Sequence, residues 1–286
     1  MKISVVLATY NEEKNIKDCI DTVKKIADEI IIVDGESSDN TVLIARENGA
    51  KVFIEKNHPI FHINKEKALS LAKNEWILQL DADERVTEAL AEEILKIVNM
   101  SDEEREKYQV SLSKRDLFLR HQELLIKRDG QIGTTEGSYN AFFIPRLNYF
   151  LGRYLKYGGV YPDGVIRLVR RHKAHFPCKS VHEQIEVSGK VGWLSHDLKH
   201  IDSPTFTRYL ERNKRYVHLI ATEIAKEKNP KSILKIGDYL LLKPTYWFFL
   251  TYVRHKGFLD SWQGLVFSFF SALRFPRAYL IFWFKR

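Results

Sequence analysis

The chain begins with four short apolar runs, each of the length of a buried β-strand and each followed by a polar segment. The runs are ISVVLA (3–8), EIIIVD (29–34), KVFIE (51–55) and EWILQLD (75–81). Continuous apolar runs of this length, rich in β-branched residues, are typical of strands that are buried on both faces. Since helical segments separate them, they predict an α/β fold in which helices flank a mostly parallel sheet.

Helix signals lie between and after these runs. Thr9 to Glu12 has the form of a capping box, so we expect a helix to begin there. Asp39 or Asn40 can cap the segment TVLIAREN, and a short helix is predicted over 64–73. Further along, Ser101 and Glu104 are a second capping pair, and the stretch 203–230 has apolar residues at helical spacing.

Three polar loops follow the carboxyl ends of predicted strands, where parallel α/β sheets bind ligands. They are ATYNE, DGESSDN and DADE. On a strand continued to residue 83, Asp81 and Asp83 would point to the same face, because side chains alternate along a strand. Two carboxylates that close repel each other unless a cation lies between them, and Mg²⁺ or Mn²⁺ with substrate phosphates would meet that need. Alternatively, Asp83 and Glu84 cap the helix TEALAEEILKIV.

Composition favours a folded protein of a reducing compartment. The 286 residues, with 44% apolar content, can bury one large core and a second small domain or appendage. Cys19 and Cys178 lie far apart in the sequence and cannot form a disulfide framework. The N-terminal apolar run is too short for the core of a signal peptide, so we expect a cytoplasmic protein.

The C-terminal tail, 239–286, differs from the rest of the chain. It holds seven Lys and Arg against one acid, Asp260, and sixteen of the thirty-five aromatic residues. Its longest uncharged stretches, 244–253 and 261–273, are shorter than the roughly 20 apolar residues that a spanning helix needs. We therefore expect amphipathic helices that do not cross a membrane but lie on the anionic inner face of the inner membrane. An interface in a homo-oligomer, or a helical lid, would use the same residue types.

The motifs of the first hundred residues resemble the nucleotide-binding half of family 2 glycosyltransferases, which have the GT-A fold. The matching segments are ISVVLATYNEEKNI, EIIIVDGESSDNT and NKEKALSLAKNEWILQLDADE, in the family's order and spacing. The segments YPDGVIRLVRRHKAHF, SVHEQIEVSGKVGWL and YVRHKGFLDSWQGLVFSFFSA resemble the subgroup that includes bacterial lipopolysaccharide-core glucosyltransferases. The resemblance implies a nucleotide-sugar half at 1–100, an acceptor half at 101–202 and a helical extension at 203–286.

The resemblance also implies a site for the nucleoside of a UDP-sugar. Ala8, Thr9, Tyr10 and Glu12 match the part of the family's first loop that contacts the nucleoside. Asp34 matches the acid that hydrogen-bonds the uracil ring, and a buried carboxylate at the end of a strand is otherwise hard to justify.

The diphosphate side of the donor is implied in the same way. Lys65 stands where many relatives carry an arginine beside the diphosphate; lysine keeps the charge but loses the bidentate fork. Asp81, Ala82 and Asp83 match the family's DxD motif, in which the two acids hold Mg²⁺ or Mn²⁺. The metal would neutralise the diphosphate as it leaves.

An inverting transfer also needs a general base for the acceptor hydroxyl. In the family this acid follows paired arginines and an aromatic residue, and here RLVRRHKAHF precedes the segment SVHEQ, so Glu183 is the expected base. The pair His182-Glu183 departs from the Glu-Asp pair of relatives, which leaves the position open by one residue. Asp163, in YPDGVIR, is the competing base, although a β-turn at Pro-Asp-Gly would also explain it.

Other polar residues have structural explanations. His196 and His200 lie four apart without an acid or cysteine partner of a zinc motif, so structural roles are expected, with His200 as a possible lining of the acceptor side. Arg167, Arg170 and Arg171 can bind phosphates or face solvent.

The implied activity is transfer of a sugar, by resemblance from UDP-glucose, to a saccharide or lipid-linked acceptor. A catalytically inactive membrane scaffold with the same domain is one alternative. A nucleotidyltransferase is another, but it would carry a glycine-rich loop after the first strand, and ATYNEEKN has none. Nucleic acid is not an expected partner, because acidic strand-end loops repel phosphate without a metal.

Overall fold

The computed structural model of the protein describes residues 1–179, 184–226 and 231–284. Within them the chain forms an α/β fold followed by helices. The strands are β1 Ile3–Thr9, β2 Glu29–Asp34, β3 Lys51–Ile54, β4 Trp76–Leu80, β5 Glu84–Val86, β6 Tyr139–Phe150, β7 Arg153–Leu155, β8 Asp163–Arg170, β9 Ala174–His175, β10 Glu186–Val187, β11 Lys190–Trp193 and β12 Leu198–Ser203. The α-helices are α1 Ile16–Val23, α2 Thr41–Glu47, α3 His62–Leu71, α4 Glu88–Asn99, α5 Asp102–Ser111, α6 Arg115–Asp129, α7 Phe206–Ile224, α8 Ile233–Gly237, α9 Lys243–Phe249, α10 Ser261–Ala272 and α11 Arg274–Phe284.

The main sheet is mixed, with the predicted parallel strands on one side. Its order is β3-β2-β1-β4-β8-β6-β12-β5, and β7 and β11 also pair with β6. The four strands read from the first hundred residues pair in parallel, whereas β8 runs antiparallel to both β4 and β6. The predicted α/β class is therefore confirmed, and the carboxyl ends of β1, β2 and β4 meet at one edge of the sheet.

Contacts divide the chain into two compact units. The first, called the sheet unit below, comprises Met1–Arg146 and Pro162–His200; the second, called the helical unit, comprises Leu147–Tyr161 and Ile201–Arg286. In the sheet unit, neighbouring residues of β1 enter different cores: Val5 and Leu7 pack with α1 and α4, and Val6 packs with α3 and α6. Both faces of the sheet are thus buried, as its continuous apolar runs require.

One predicted helix start is wrong, and one helix, TEALAEEILKIV, forms as predicted but with a different cap from the alternative considered. Thr9 belongs to β1, where its hydroxyl donates to Asp34, so helix α1 begins only at Ile16. Helix α4 is capped by Thr87, whose hydroxyl accepts from Leu90 N at 3.2 Å, and not by the acids of the DADE loop. The capping box at the start of α5 is confirmed.

The helical unit has a small core of its own. On α7, Val217, Ala221 and Ile224 pack with the buried Ala278 and Tyr279 of α11. The predicted helix over 203–230 is shorter, because α7 ends at Ile224.

The last helices of the helical unit are strongly apolar. In the described part of the chain, the stretch Gly257–Phe284 is long and apolar enough to span a membrane, a test that core helices of soluble proteins also pass. It consists of a short 3₁₀ helix, Gly257–Asp260, followed by α10 and α11. The expectation that the tail stays on one side of a membrane remains a prediction.

Candidate functional site

A buried carboxylate lies at the end of β2, where the nucleoside is expected. Asp34 is fully buried, and its carboxylate accepts hydrogen bonds from the Thr9 hydroxyl at 2.7 Å and from the Ser37 amide and hydroxyl at 2.8 and 2.7 Å. No cation is paired with it among the residues that the structure describes. Tyr10, the residue after Thr9, follows β1 with 49% of its surface exposed. A fixed acceptor next to an open aromatic ring is suited to a base that offers an N–H group and a flat face.

The remaining residues expected at the nucleoside form the frame of this loop. Ala8 is half-buried in β1, opposite Val33 of β2. Glu12 donates its backbone N–H to the Thr41 hydroxyl at 2.7 Å, and its carboxylate accepts from the Asn15 side chain at 2.7 Å. Glu12 therefore fixes the loop to the helices behind it.

The DADE loop is a closed turn and not a continued strand. Strand β4 ends at Leu80, Asp81 N donates to a Glu84 carboxylate oxygen at 2.9 Å, and Glu84 N donates to Asp81 O at 3.0 Å. The strand alternation that predicted one shared face for the two aspartates therefore does not apply. Below the turn, Cys19 Sγ of α1 lies 3.6 Å from Asp81 O.

The two aspartates of the turn have different partners. Asp81 forms ion pairs with Lys65 Nζ at 2.6 Å and with Arg167 Nη2 at 2.5 Å. Burial opposes ionisation of Asp81, but the two cations outweigh it and hold its pKa well below the usual range. Asp83 instead lies 3.4 Å from His200 Nε2. The charge of Asp81 is thus neutralised by two cations of the protein itself. Asp83 instead faces the imidazole of His200, and a neutral imidazole can bind a metal cation.

Lys65 is held at the place where the resemblance puts a diphosphate contact. It is buried on α3, its ammonium bonds Asp81, and it lies 5.1 Å from the centre of the Phe61 ring. Burial lowers its pKa, and the Asp81 carboxylate opposes that shift. A lysine of this kind offers one point charge at the rim of the turn.

Arg167, in β8, is the centre of the polar network behind the turn. It is buried, and its guanidinium donates to Gln79 at 2.5 Å, to Asp81 and, at 2.8 Å, to Glu84. Glu84 is fully buried and also accepts from Arg146 at 3.3 Å. Sequence reasoning considered Arg167 only as a phosphate ligand or a surface residue, and it did not identify Arg146. The spacing of charges in RLVRR gave no indication which of its arginines turns inward.

Asp163 is held at the start of β8, on the second half of the sheet. Its carboxylate accepts from Arg146 Nε at 3.1 Å and Nη2 at 2.7 Å. It is a strand residue paired with Arg146, and the Gly164 amide donates to Pro162 O at 2.9 Å across it, which is a tighter turn than the predicted β-turn. The next residue, Gly164, donates its amide to His121 Nε2 at 3.2 Å, and burial lowers the pKa of that histidine. Glu183 and His182, the other expected pair, lie outside the described residues.

The two histidines considered as a metal pair do different things. His196 Nδ1 lies 2.9 Å from Glu93, on α4, while His200 on β12 reaches Asp83 through the antiparallel pairing of β12 with β5. Neither Arg170, which pairs with Glu75 at 2.7 Å, nor Arg171 reaches the polar turn through a bond that we observe.

The residues present fit a hard divalent cation at Asp83 better than at Asp81. Within 1–179, 184–226 and 231–284, no group of three or more His, Cys, Asp or Glu side chains forms a complete metal site. Asp83 supplies a carboxylate oxygen, with the His200 imidazole 3.4 Å from it, and phosphate oxygens of a substrate can supply the further oxygen ligands that Mg²⁺ usually takes. The Asp81 carboxylate already has two cationic partners.

The parallel half-sheet carries a buried carboxylate at the end of one strand and a charged turn at the end of another, which defines an α/β protein with a candidate ligand site at its carboxyl edge. A match to the family described as glycosyl transferase family 2 covers residues 4–174, and the chain belongs to this family. The resemblance inferred from the motifs is thereby confirmed, and with it the GT-A type of fold.

Relatives along almost the whole chain are named as glycosyltransferases. An uncharacterized glycosyltransferase of Rickettsia bellii is 27% identical over 278 residues, which are 96% of this chain and 84% of the relative. The lipopolysaccharide core biosynthesis glycosyltransferase LpsC of Rhizobium meliloti is 23% identical over 297 residues, 96% of this chain and 92% of LpsC.

Solved structures match over a shorter part. One is glucosyl-3-phosphoglycerate synthase from Mycobacterium tuberculosis, in complex with Mn²⁺, UDP and glucosyl-3-phosphoglycerate, with 28% identity and a TM-score of 0.27. The match covers 29% of this chain and 34% of the synthase, about a third of its length.

Proposed function

We propose that the protein transfers a sugar, with inversion, from a UDP-sugar to a saccharide or lipid-linked acceptor of the cell envelope. Membership of glycosyl transferase family 2 supports the reaction class, and similarity to LpsC supports an acceptor in the lipopolysaccharide core. UDP-glucose is the donor that the motif resemblance suggests. The observation that carries the proposal is the buried carboxylate of Asp34, which has no cationic partner in the described part of the chain, at the same sheet edge as the charged turn after β4.

In this proposal the first strands bind the nucleoside. The Asp34 carboxylate, fixed by Thr9 and Ser37, accepts the imide N–H of uracil, and Tyr10 covers the ring. If an amide replaced the Asp34 carboxylate, its N–H group would face the N–H group of uracil in a buried place and neither donor would have an acceptor. The cost of such an unpaired buried donor gives the site a strong basis for selecting the nucleobase.

The turn after β4 binds the diphosphate side. Asp83, with His200, would hold Mg²⁺ or Mn²⁺, which when bound supplies positive charge to the leaving diphosphate. Lys65 adds a cation from α3, and Asp81 keeps that ammonium beside the turn. Asp81 therefore acts in this mechanism chiefly by positioning Lys65 and Arg167.

The acceptor hydroxyl loses its proton to a carboxylate. Glu183 is the base that the resemblance assigns, and Asp163 is the competing one. Asp163 is held by two hydrogen bonds from Arg146, and a carboxylate committed to an arginine has less capacity to take a further proton. We therefore keep Glu183 as the proposed base.

The protein is proposed to work as a peripheral protein at the cytoplasmic face of the inner membrane. The basic, aromatic tail supports this location, because such residues bind anionic lipid head groups and the acyl boundary. A lipid-linked acceptor would be concentrated at the same surface. Self-association through the tail is the competing use of these residues.

Titration of UDP into the protein by calorimetry, with and without Mn²⁺, tests the donor site. We expect UDP to bind only with the metal, and Asp83→Ala to lose most of that binding while the fold survives. Asp129→Asn, which changes an acid that pairs with Arg128, is the matched control and should bind as the wild type does. Undiminished affinity in Asp83→Ala would show that the metal assignment is wrong.

A screen of sugar nucleotides for metal-dependent hydrolysis then identifies the donor. Turnover of a UDP-sugar would exclude the inactive-scaffold alternative, whereas failure of every nucleotide to bind would contradict the proposed function as a whole.

A further inference from the structure

A continuous helical run in the helical unit exposes an unusual number of large apolar side chains. The run consists of α8, a π-helical segment Asp238–Leu242, α9 and a second π-helical segment Leu250–Arg254. We call its exposed apolar residues the apolar stripe. They are Ile233 and Leu234, each 85% exposed, Leu241 66%, Leu242 64%, Tyr246 67%, Phe249 57% and Val253 52%.

The stripe has a fixed direction because the other side of the run is anchored. Tyr239 is buried and stacks on Tyr279 at 5.3 Å between ring centres. Trp247 donates its indole N–H to the Ser271 hydroxyl at 3.2 Å, and Thr251 is buried. Anchored positions thus recur at 239, 247 and 251, and the residues of the stripe lie between and on either side of them along the chain.

The two π-helical segments keep the stripe on one side. A regular α-helix repeats every 3.6 residues, so positions eight apart drift steadily around the axis. A π-helical turn contains more residues and moves the following positions back. Leu241 and Phe249, eight residues apart, are accordingly both exposed, while Tyr239 and Trp247, also eight apart, both contact the unit. Such π turns occur frequently at functional sites.

Positive charge surrounds the stripe. Between residues 231 and 256 the chain has five basic residues and a single acid, Asp238, which is paired with Lys243 at 3.1 Å. Arg254 and Lys256, at the end of the run, are exposed. An exposed apolar face with flanking Lys and Arg is complementary to the interface of a bilayer that contains anionic lipid. Two copies of this face would bring like charges together.

We propose that the apolar stripe is the surface by which the protein enters the interface of an anionic membrane, with the run Ile233–Arg254 lying in the membrane plane. The inference rests on the proposed membrane location and specifies the residues responsible. It also places the contact earlier in the chain than composition suggests. The aromatic residues Trp247, Phe282 and Trp283 are half-buried in the helical unit, and Tyr279 is in its core.

Flotation with liposomes tests the proposal. The full-length protein is mixed with vesicles of phosphatidylcholine alone or with added phosphatidylglycerol, and the variants Leu241→Asp and Phe249→Asp are compared with it. We expect the double variant to lose at least tenfold in binding, because it puts two carboxylates against anionic lipid. The matched control is Leu117→Asp with Leu124→Asp on α6, which are 41% and 58% exposed. It should float as the wild type does.

A second pair of substitutions separates the contribution of positive charge to vesicle binding from the contribution of the apolar side chains. Arg254→Gln with Lys256→Gln should weaken binding to anionic vesicles several-fold and leave any binding to neutral vesicles unchanged. Circular dichroism and UDP binding are measured on every variant. Intact UDP binding with lost flotation confirms the stripe independently of the donor site, and lost UDP binding with intact flotation would affect only the proposed reaction.

Four results would overturn the proposal. The stripe variant could float as well as the wild type, or the wild type could fail to bind anionic vesicles at all. Light scattering could instead show a dimer that Leu241→Asp and Phe249→Asp convert to a monomer, which would make the stripe a contact between copies. Binding by the stripe variant that resists an alkaline wash would indicate insertion of Gly257–Phe284.

Discussion

Arg167 determines the shape of the turn that carries both aspartates. Its guanidinium bonds Gln79 on the preceding strand and Asp81 and Glu84 at the two ends of the turn. Glu84 has no exposed surface, so its charge depends on Arg167 and Arg146 for compensation. Removing one partner from a buried charge network leaves the others uncompensated, which costs more than the bond itself contributes.

Replacing Arg167 should therefore affect both stability and metal use. We expect Arg167→Met to lower the free energy of unfolding by about 3–5 kcal/mol, as for other broken buried ion pairs. Arg167→Lys keeps the charge but loses the fork, and it should recover part of the stability while weakening Mn²⁺-dependent UDP binding. Urea unfolding and calorimetry measure the two effects.

Arg170→Met is the control for this comparison, since Arg170 lies on the same strand but pairs with the partly exposed Glu75. Loss of that surface pair should cost at most about 1 kcal/mol. Equal effects at positions 167 and 170 would contradict the role given to Arg167.

Single substitutions of the two candidate carboxylates identify the general base of the transfer reaction. Glu183→Gln should keep UDP binding and lower the turnover of transfer by about 10² or more, the usual scale for a lost general base. Asp163→Asn should disturb the pair with Arg146 more than the chemistry. Steady-state rates and UDP titrations on both variants separate the two; an active Glu183→Gln beside an inactive Asp163→Asn would reverse the assignment.

At the scale of elements, the sequence predicted those strands and loops that depend on the local pattern of apolar and polar residues. The runs that became β1, β2 and β4 are apolar throughout because they are buried on both faces, so their ends and the polar loops after them could be located. Tertiary contacts decided the rest. Thr9 bonds Asp34 from a neighbouring strand instead of capping a helix, and His200 reaches Asp83 only because β12 pairs with β5. Pairings between segments more than a hundred residues apart leave no periodic signal in the sequence.

Another tertiary contact that no motif identified is at Gly164 of β8. A Cβ atom there would lie 2.2 Å from the Trp193 ring, and that ring is stacked between Phe118 and Phe143 at 4.6 Å from each. The ring has no room to withdraw. We expect Gly164→Ala to destabilise the protein by about 1–3 kcal/mol, the usual cost of overpacking.

Thermal unfolding measures this change, with Gly237→Ala as the control. Gly237 has open space around its Cα and a helical backbone, so alanine should leave stability unchanged or raise it by up to about 1 kcal/mol. A neutral Gly164→Ala would show that the layer around Trp193 is looser than its geometry indicates.

At the scale of the whole molecule, residues 239–286 of the helical unit hold seven Lys and Arg against one acid, and so carry most of the net charge of +8. That tail is also structural. Its helix α11 buries Ala278 and Tyr279 against α7, so a chain shortened at residue 240 would lose two of the six buried residues of this core. Truncation therefore cannot separate membrane attachment from folding, and substitutions on the exposed stripe can.

The thiol of Cys19 can report how often the turn after β4 opens. It is fully buried under the Asp81 carbonyl, and burial raises its pKa, so the group stays protonated and inert to alkylation at neutral pH. A maleimide can react only while α1 and the turn separate. In a Cys178→Ser background, the labelling rate of Cys19 therefore counts opening events of the turn. We expect UDP with Mn²⁺ to slow it at least tenfold in the wild type and not in Asp83→Ala, as followed by mass spectrometry. Equal rates with and without nucleotide would mean that ligand binding does not close this turn.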